Sequence, residues 1–387
     1  MKKKLIVAAF PVNEKQELAA VLYENDSPVE FRIFNAEEPS ILGNIYVGKI
    51  EKIQKSLNAA FVRYAPDQNG YLPLTDADKD LKAGDEIAVQ IEKEALKMKL
   101  PRLTRNLTIP GQYIVVSSGR PQLNFSHKLS GDEKIRLKRL LAPERNEQLG
   151  CIVRTNAAEA SDKTLLEEMQ SVSEQLLRIM DEAAHRTIYT CLYHNEPVWE
   201  RMLQRCSGED LVRFVTDQPD IYERALRWKD TKEASEAVFE LYSDTMVDLF
   251  RIYNMTTLFQ SIRGKQVWLK SGGFLVIEQT EAFTAVDVNT GRYNGNKTYA
   301  ELVELTNREA AVEIARQIRL RQISGMILVD FINTKEAAQK EALLELMREQ
   351  CKRDPVQTTV VDFTALNIME ITRKKTGKSL QEQVQTL

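Results

Sequence analysis

The chain has 387 residues, with 53 Lys and Arg against 56 Asp and Glu and a formal charge of -3. Any polyanionic partner must therefore be met by local basic patches rather than by a global field. At 43% hydrophobic residues the sequence can build well-formed cores, over roughly two to four domains for this length. No apolar run reaches the 18 or so residues that a membrane span needs.

In chain order, MKKKLIVAAF opens basic and then apolar. Pro11, Asn13, Glu14 and Lys15 interrupt it before a signal-peptide core is complete, so it reads as the first strand of a cytoplasmic protein. Residues 3–9, 17–24 and 29–34 read as three short strands separated by turns. From Gly43 to about Thr108 the pattern becomes GNIYVGKIEKI, AAFVRYA, GYLPL and GDEIAVQIEKE, punctuated by Gly48, Gly70 and Gly84, which predicts a small closed barrel. Tyr46, Phe61, Tyr64 and Tyr71 alternate there with Lys49, Lys52, Lys55 and Arg63. Such a surface can stack bases and track phosphates, although the same aromatics also suit a barrel core with solvated lysines around it. The following KEALKMKLPRLTRN gathers Lys93, Lys97, Lys99, Arg102 and Arg105 into the strongest local basic patch, suited to sequence-independent phosphate contacts.

Residues 111–157 read as a strand, QYIVVSS, a turn with Gly119 and Pro121, a basic helix, GDEKIRLKRLLAP, and a second strand, GCIVRT. Arg154 and Thr155 at its end could hold an anion between a guanidinium and a hydroxyl; on spacing alone an ordinary surface arginine is the favoured reading. From Ser161 to Arg263 nearly everything reads as helix: a long amphipathic one from SDKTLLEEM, then 196–207, 209–216, 219–228 and 232–261. These residues are assigned to scaffold and oligomer contacts. Cys151, Cys191, Cys206 and Cys351 are too scattered for a zinc knuckle or a disulfide framework, and His127, His185 and His194 too dispersed for a metal cluster or a triad.

The chemistry concentrates in residues 264–330. Val286 leads into Asp287, and Met326-Ile327-Leu328-Val329 into Asp330, so each carboxylate closes a predicted strand. Between them LVELTNREAAVEIARQIRLRQIS has helical periodicity, with Leu305, Ala311, Ile314, Ala315, Ile318 and Leu320 as its stripe, Arg308, Arg316, Arg319 and Arg321 on its flanks and Gly325 at its exit. A right-handed crossover of this kind sets two strands of one sheet side by side, so Asp287 and Asp330 could meet and hold a hard divalent cation. Asn289 would project to the same side as Asp287. The alternative is that both Asp residues merely cap or turn the chain after strands. A helix, KEAAQKEALLELMREQCKRD, ended by Pro355, then a strand, QTTVVDF, follow. In the closing NIMEITRKKTGKSL, Arg373, Lys374, Lys375 and Lys378 form a second basic patch, functional or merely solvated.

SGGFLVIEQTEAFTAVDVNTGR followed by LTNREAAVEIARQIRLRQISGMILVDF resembles the catalytic core of the ribonuclease E/G family, endoribonucleases that cut single-stranded RNA. The resemblance implies an α+β multidomain fold: an RNase H-like subdomain from residues 1–39 and a helical 199–263, an inserted OB-fold RNA-binding barrel over 40–110, a 5'-sensor region over 111–198, and a DNase I-like catalytic subdomain over 264–387. It implies that Asp287 and Asp330 bind magnesium and that Asn289 hydrogen-bonds near the scissile phosphate. Phe61 and Tyr71 would grip a base, Lys99 would contact substrate, and Arg154 with Thr155 would bind a 5' monophosphate. The implied protein is a magnesium-dependent enzyme of RNA processing and decay in the cytoplasm, assembled as a dimer or tetramer. Four positions depart from the family pattern: Leu100, Leu123 and Asn124 stand where glycine is usual, and Asn333 where aspartate is common. No zinc-sharing C-x-x-C is visible in this chain. The departures motivate the alternative of a non-catalytic RNA-binding or ribosome-associated protein on the same scaffold.

Overall fold

The computed structural model describes all residues except 1, 14, 36–39, 96–98, 159, 207–209, 231–235, 292–297, 335, 376 and 387. The architecture is mixed α+β, a closed barrel and three further sheets, divided into two compact units: Met1–Pro39 with Val198–Leu387, and Ser40–Pro197. No helix among the described residues is long and apolar enough to cross a membrane.

Two sheets build the first unit. One has five strands in the order Val238–Leu241, Leu211–Thr216, Lys3–Val12, Lys15–Glu24 and Ser27–Phe34. Its amino-terminal strands are longer than the predicted 3–9, 17–24 and 29–34, because the hairpin turns are only two residues wide: Asn25 and Asp26, for example, both take positive φ. That is the backbone a tight hairpin requires. Both faces of this sheet are buried. Leu5, Val7, Leu22 and Phe214 pack against the helices Val198–Gln204 and Pro219–Asp230 through Trp199, Met202, Ile221 and Trp228. Ile6, Ala8, Phe10, Val21, Phe31 and Val215 pack against Met255, Phe259, Ile262 and Leu320 on the other side.

The expectation of nearly continuous helix over 161–263 is corrected at three places: Cys191–Tyr193 is a short strand, and Leu211–Thr216 and Val238–Leu241 are strands pairing in parallel with each other and, through the former, with Lys3–Val12. LVRFVT is rich in β-branched and aromatic residues, which fit a pleated surface; a short strand buried on both sides shows no alternation to betray it. The described helices there are Asp162–Ala183, Val198–Gln204, Pro219–Asp230, Leu249–Ile252 and Met255–Arg263. Segments predicted through 207, from 209 and from 232 run in part outside the described residues.

The second sheet has six strands in the order Gln266–Trp268, Phe274–Gln279, Phe283–Asn289, Gly325–Asp330, Ile368–Arg373 and Thr358–Phe363. One face carries Leu275, Ile277, Val286, Val288, Ile327, Val329, Met369 and Ile371 into a core shared with helices Tyr299–Leu320 and Ala337–Lys352. The first of these helices starts at a capping box: the Thr298 hydroxyl accepts from the Glu301 amide while the Glu301 carboxylate accepts from the Thr298 amide, closing two otherwise orphan donors. Its far end reaches the five-stranded sheet, where Arg319 pairs with Glu24 at 3.0 Å, Arg316 Nη1 donates to the Pro28 carbonyl at 2.9 Å and Gln322 Nε2 to that of Phe31 at 2.8 Å.

Arg319 and Arg321, expected on the helix flanks, are buried because they serve this junction; Arg321 Nη1 donates to the Gly264 carbonyl at 2.7 Å. Nearby, Glu30 is buried among Arg205, Arg32 and Arg319. Burial pushes its carboxyl up, but the three guanidiniums outweigh it and hold the pKa down at about 2. Arg373, expected in a basic patch, is buried too, held by Asp354 at 2.7 and 3.1 Å and by the Ile323 carbonyl. It is a structural ion pair, and of the remaining lysines Lys375 pairs with Glu382 at 3.3 Å.

In the second unit five strands close on themselves: Ile45–Gln54, Ala59–Ala65, Gln68–Pro73, Arg102–Thr104 and Glu86–Lys93, the last pairing back to the first. Ile50, Val62, Leu72, Val89, Ile91 and Leu103 fill the interior. A four-stranded sheet, Leu123–Phe125, Gly150–Val153, Ile114–Ser117 and Thr108–Pro110, lies under helices Gly131–Leu141 and Asp162–Ala183 through Leu137, Leu141, Leu165 and Met169.

Candidate active site and nucleic-acid contacts

Phe283–Asn289 and Gly325–Asp330 run parallel, with Asp287 directly opposite Asp330 and Val286 opposite Val329. The long helix between them makes this possible, since a parallel pair needs a crossover. Side chains alternate along a strand. With Val286, Val288 and Val329 in the core, both aspartates point to the uncovered face of the sheet, where both are exposed. Adjacent strands lie about 4.8 Å apart, so the two carboxylates are close neighbours. Asn289 is on the same face and its Nδ2 donates to Asp287 Oδ2 at 2.8 Å, which orients that carboxylate.

Two carboxylates on paired strands are hard oxygen donors that leave most of a coordination sphere open. Magnesium accepts such a set, filling the rest with water and phosphate oxygens. Among the described residues no group of three or more His, Cys, Asp or Glu side chains is placed to hold a metal.

The carboxylate strands are held by residues that sequence reasoning did not single out. Asn307, buried in the long helix, clasps the chain just past Asp330: its Nδ2 donates to the Ile332 carbonyl at 2.7 Å and its Oδ1 accepts from the Ile332 amide at 3.1 Å. A polar residue amid the apolar stripe was the available signal. On the other side the Ser271-Gly272-Gly273 turn abuts Asn289. Glu309 accepts from the Ser271 amide at 2.8 Å, and a Cβ on Gly273 would come within 2.6 Å of the Asn289 carbonyl and 2.8 Å of Thr306 Cγ2. Only glycine allows that approach.

In the second unit, Phe61 and Tyr71 face each other across paired strands with ring centroids 6.3 Å apart at 74°. The row continues to Lys52 on one side and Arg102 on the other. Both rings are half-buried. Tyr64, by contrast, is buried in the barrel core and Tyr46 stacks on it at 5.3 Å, so these two of the four aromatics belong to the core. The basic patch thins similarly: Arg102 pairs with Glu92 at 2.6 Å, Arg105 with Asp78 and Arg63 with Glu51 at 3.0 Å. Lys93 and Lys99 are exposed, and Lys97 lies outside the described residues. Lys99 comes just before Pro101, whose carbonyl accepts from the Tyr71 amide at 2.8 Å.

Arg154 and Thr155 follow the strand Gly150–Val153, against which Leu123–Phe125 runs in parallel. The Thr155 hydroxyl is 2.9 Å from that of Ser126, while the Ser126 amide donates to the Val153 carbonyl at 2.8 Å. Leu123 and Asn124 thus form strand rather than a glycine loop, and the strand end offers hydroxyls where a glycine loop would offer backbone amides.

A sequence profile described as the Ribonuclease E/G family matches residues 108–376, more than half of the chain. Ribonuclease E of Nostoc sp. is 30% identical over 99% of this chain and 57% of its own length. Ribonuclease G of Escherichia coli K12 is 29% identical over 91% of this chain and 76% of its own, and Ribonuclease G of Haemophilus influenzae 28% over 94% and 79%. The chain therefore spans little more than half of the first relative and about three quarters of the other two.

Proposed function

The chain belongs to the ribonuclease E/G family, and on that premise we propose that it is a magnesium-dependent endoribonuclease that cuts single-stranded RNA in RNA processing and decay. The observation that carries this reading is the register of the six-stranded sheet, Asp287 opposite Asp330, on the face turned away from helices Tyr299–Leu320 and Ala337–Lys352. In this reading Asp287 and Asp330 hold the cation, and Asn289 steadies Asp287 while its second amide hydrogen donates to a phosphate oxygen. Bound there, the cation supplies neutralisation of the charge that builds on the phosphoryl oxygens as water attacks in line. Phe61 and Tyr71 stack a base, which only an unpaired strand can present, and Lys99 meets its backbone.

Arg154 and Thr155 are assigned to a 5' monophosphate. The subdomain assignment extends the same premise: RNase H-like (1–39 and 199–263), OB-fold (40–110), 5'-sensor (111–198) and DNase I-like (264–387), in a cytoplasmic homo-oligomer. The test is cleavage of matched oligonucleotides bearing 5' hydroxyl or 5' monophosphate, with magnesium or with chelator, by the parent, Asp287→Asn and Asp330→Asn. Parent cleavage that requires magnesium and is lost in both variants, with RNA binding kept, supports the proposal. Binding without shortened products from the parent identifies a non-catalytic RNA binder instead, and cutting at the parent rate by both variants refutes the site.

A further inference from the structure

The uncovered face of the six-stranded sheet carries an aromatic pair that the cleavage chemistry leaves unused. Trp268 sits on the edge strand opposite Phe274, and Phe274 lies opposite Asn289 in the next strand. One row across the sheet therefore reads Trp268, Phe274, Asn289, and the neighbouring row reads Val276, Asp287, Asp330. Val267 and Leu275 belong to the core, so alternation directs Trp268 and Phe274 to the carboxylate side. The two rings touch, with centroids 5.4 Å apart at 57°. Trp268 is 67% exposed, whereas the other two tryptophans, Trp199 and Trp228, are 3% and 9% exposed. An indole left in water forgoes one of the largest apolar burials a side chain can make, and exposure of that kind marks a binding surface.

We infer that Trp268, backed by Phe274, is a stacking platform for a nucleobase of the RNA whose phosphate lies at Asp287 and Asp330. Two strand spacings, about 10 Å, separate the indole's strand from that of Asn289, within reach of a neighbouring nucleotide. The face selects its occupant by charge. Asp287, Asp330 and Glu370 share it, with Glu278 already paired to Lys265 at 2.8 Å, so a protein docking on the indole would bury carboxylates that a second copy of this acidic face cannot pair, a costly arrangement. A polyanion arriving with its divalent cation neutralises the aspartates and offers flat π-faces to the rings. Phe274 meets the indole at a tilt of 57°, and the indole's exposure leaves room for a base to stack on it. The inference rests on the nuclease reading of the same face, yet its first test does not require cleavage.

Trp268 is the one exposed indole among three, so emission reports on it while Trp199 and Trp228 supply a constant background. With magnesium present, a single-stranded oligonucleotide whose cleavable linkages are chemically blocked should quench the parent's tryptophan emission saturably, and Trp268→Ala should abolish that change. With magnesium, Trp268→Ala should raise KM about tenfold, equivalent to about 1.4 kcal/mol, with kcat much less affected, and Trp268→Phe should restore most of it. An oligonucleotide made abasic next to the cleaved bond should bind parent and Trp268→Ala alike.

Absence of quenching, or an unchanged KM in Trp268→Ala, overturns the platform while the nuclease reading stands. Loss of cleavage by the parent itself would instead defeat the nuclease reading, with quenching still deciding the platform. Concentration-dependent self-association that Trp268→Ala abolishes, with no response to RNA, would assign the face to a second copy and also overturn the inference.

Discussion

The two sheets of the first unit differ in how they meet water. The strand Lys3–Val12 is buried from Leu5 through Ala8 without a break, because helices cover both faces of its sheet. Phe283–Asn289 alternates buried and open positions, because only one face of its sheet is covered. Inner strands buried on both faces are apolar over most of their length, Glu17 excepted, and offer little room for exposed charge. A sheet with one bare face can place carboxylates on alternate residues without burying charge, and there the candidate chemistry sits.

The sharpest way to break that contrast is to neutralise the bare face. Asp287→Asn should lower the cleavage rate by about 10³-fold or more, on the order of what loss of one charge-stabilising group costs an enzyme. Because the residue is exposed, its thermal midpoint should move little; a large drop measured by circular dichroism would show that the face is structural after all. The mirror experiment is Phe31→Ala on the covered sheet, which should cost about 3 to 5 kcal/mol of stability in urea unfolding. Its cleavage rate per folded molecule should stay near the parent's, and a rate loss at full folding would mean that the two sheets are not functionally separate.

A third variant lies on the boundary. Gly273→Ala forces a methyl against the Asn289 carbonyl and should lower kcat by roughly 10-fold to 100-fold through displacement of the strand end that carries Asp287 and Asn289, with a modest loss of stability by thermal melting. An unchanged kcat would show that the turn does not set the position of Asn289.

The smallest effect is read by acid. Glu30 carries a pKa of about 2 when folded, against an ordinary 4.5, so it contributes stability fully present above about pH 4.5 and lost as pH falls from there towards 2. The contribution is on the order of 3 kcal/mol. Glu30→Gln should flatten the acid limb of a stability-against-pH curve over that window, and a curve parallel to the parent's would remove the buried cluster from the explanation.

These same contrasts explain what could be read in advance. The carboxylate strands were legible because one face of their sheet is bare: Val286 and Asp287, or Val329 and Asp330, announce inside and outside in adjacent letters. The apolar-then-acidic endings and the helical period between them were enough to pair Asp287 with Asp330 before any coordinates. Leu211–Thr216 was not legible, since its run of buried residues shows no clean alternation and so resembles a turn of buried helix. Basic patches misled for another reason. Charge in a sequence does not say whether its partner is solvent or a carboxylate distant along the chain, so Arg373 and Arg105 read as surface while Asp354 and Asp78 claim them. Trp268 passes unremarked in the sequence because an aromatic at the end of a short strand is ordinarily core; only the bare face of its sheet leaves it exposed.

The helix Tyr299–Leu320 belongs to both sheets at once, covering the six-stranded one with its body and anchoring the other through Arg316, Arg319 and Leu320. The carboxylate-bearing half is for that reason not a cassette. A fragment beginning near Gly264 would keep Asp287, Asn289 and Asp330 yet strand Leu320 in water and orphan buried guanidiniums, so recombination that shuffled this segment alone into another protein would deliver a sequence without a shape. Inheritance here must carry the opening hairpins and the closing carboxylate strands together, however much sequence separates them.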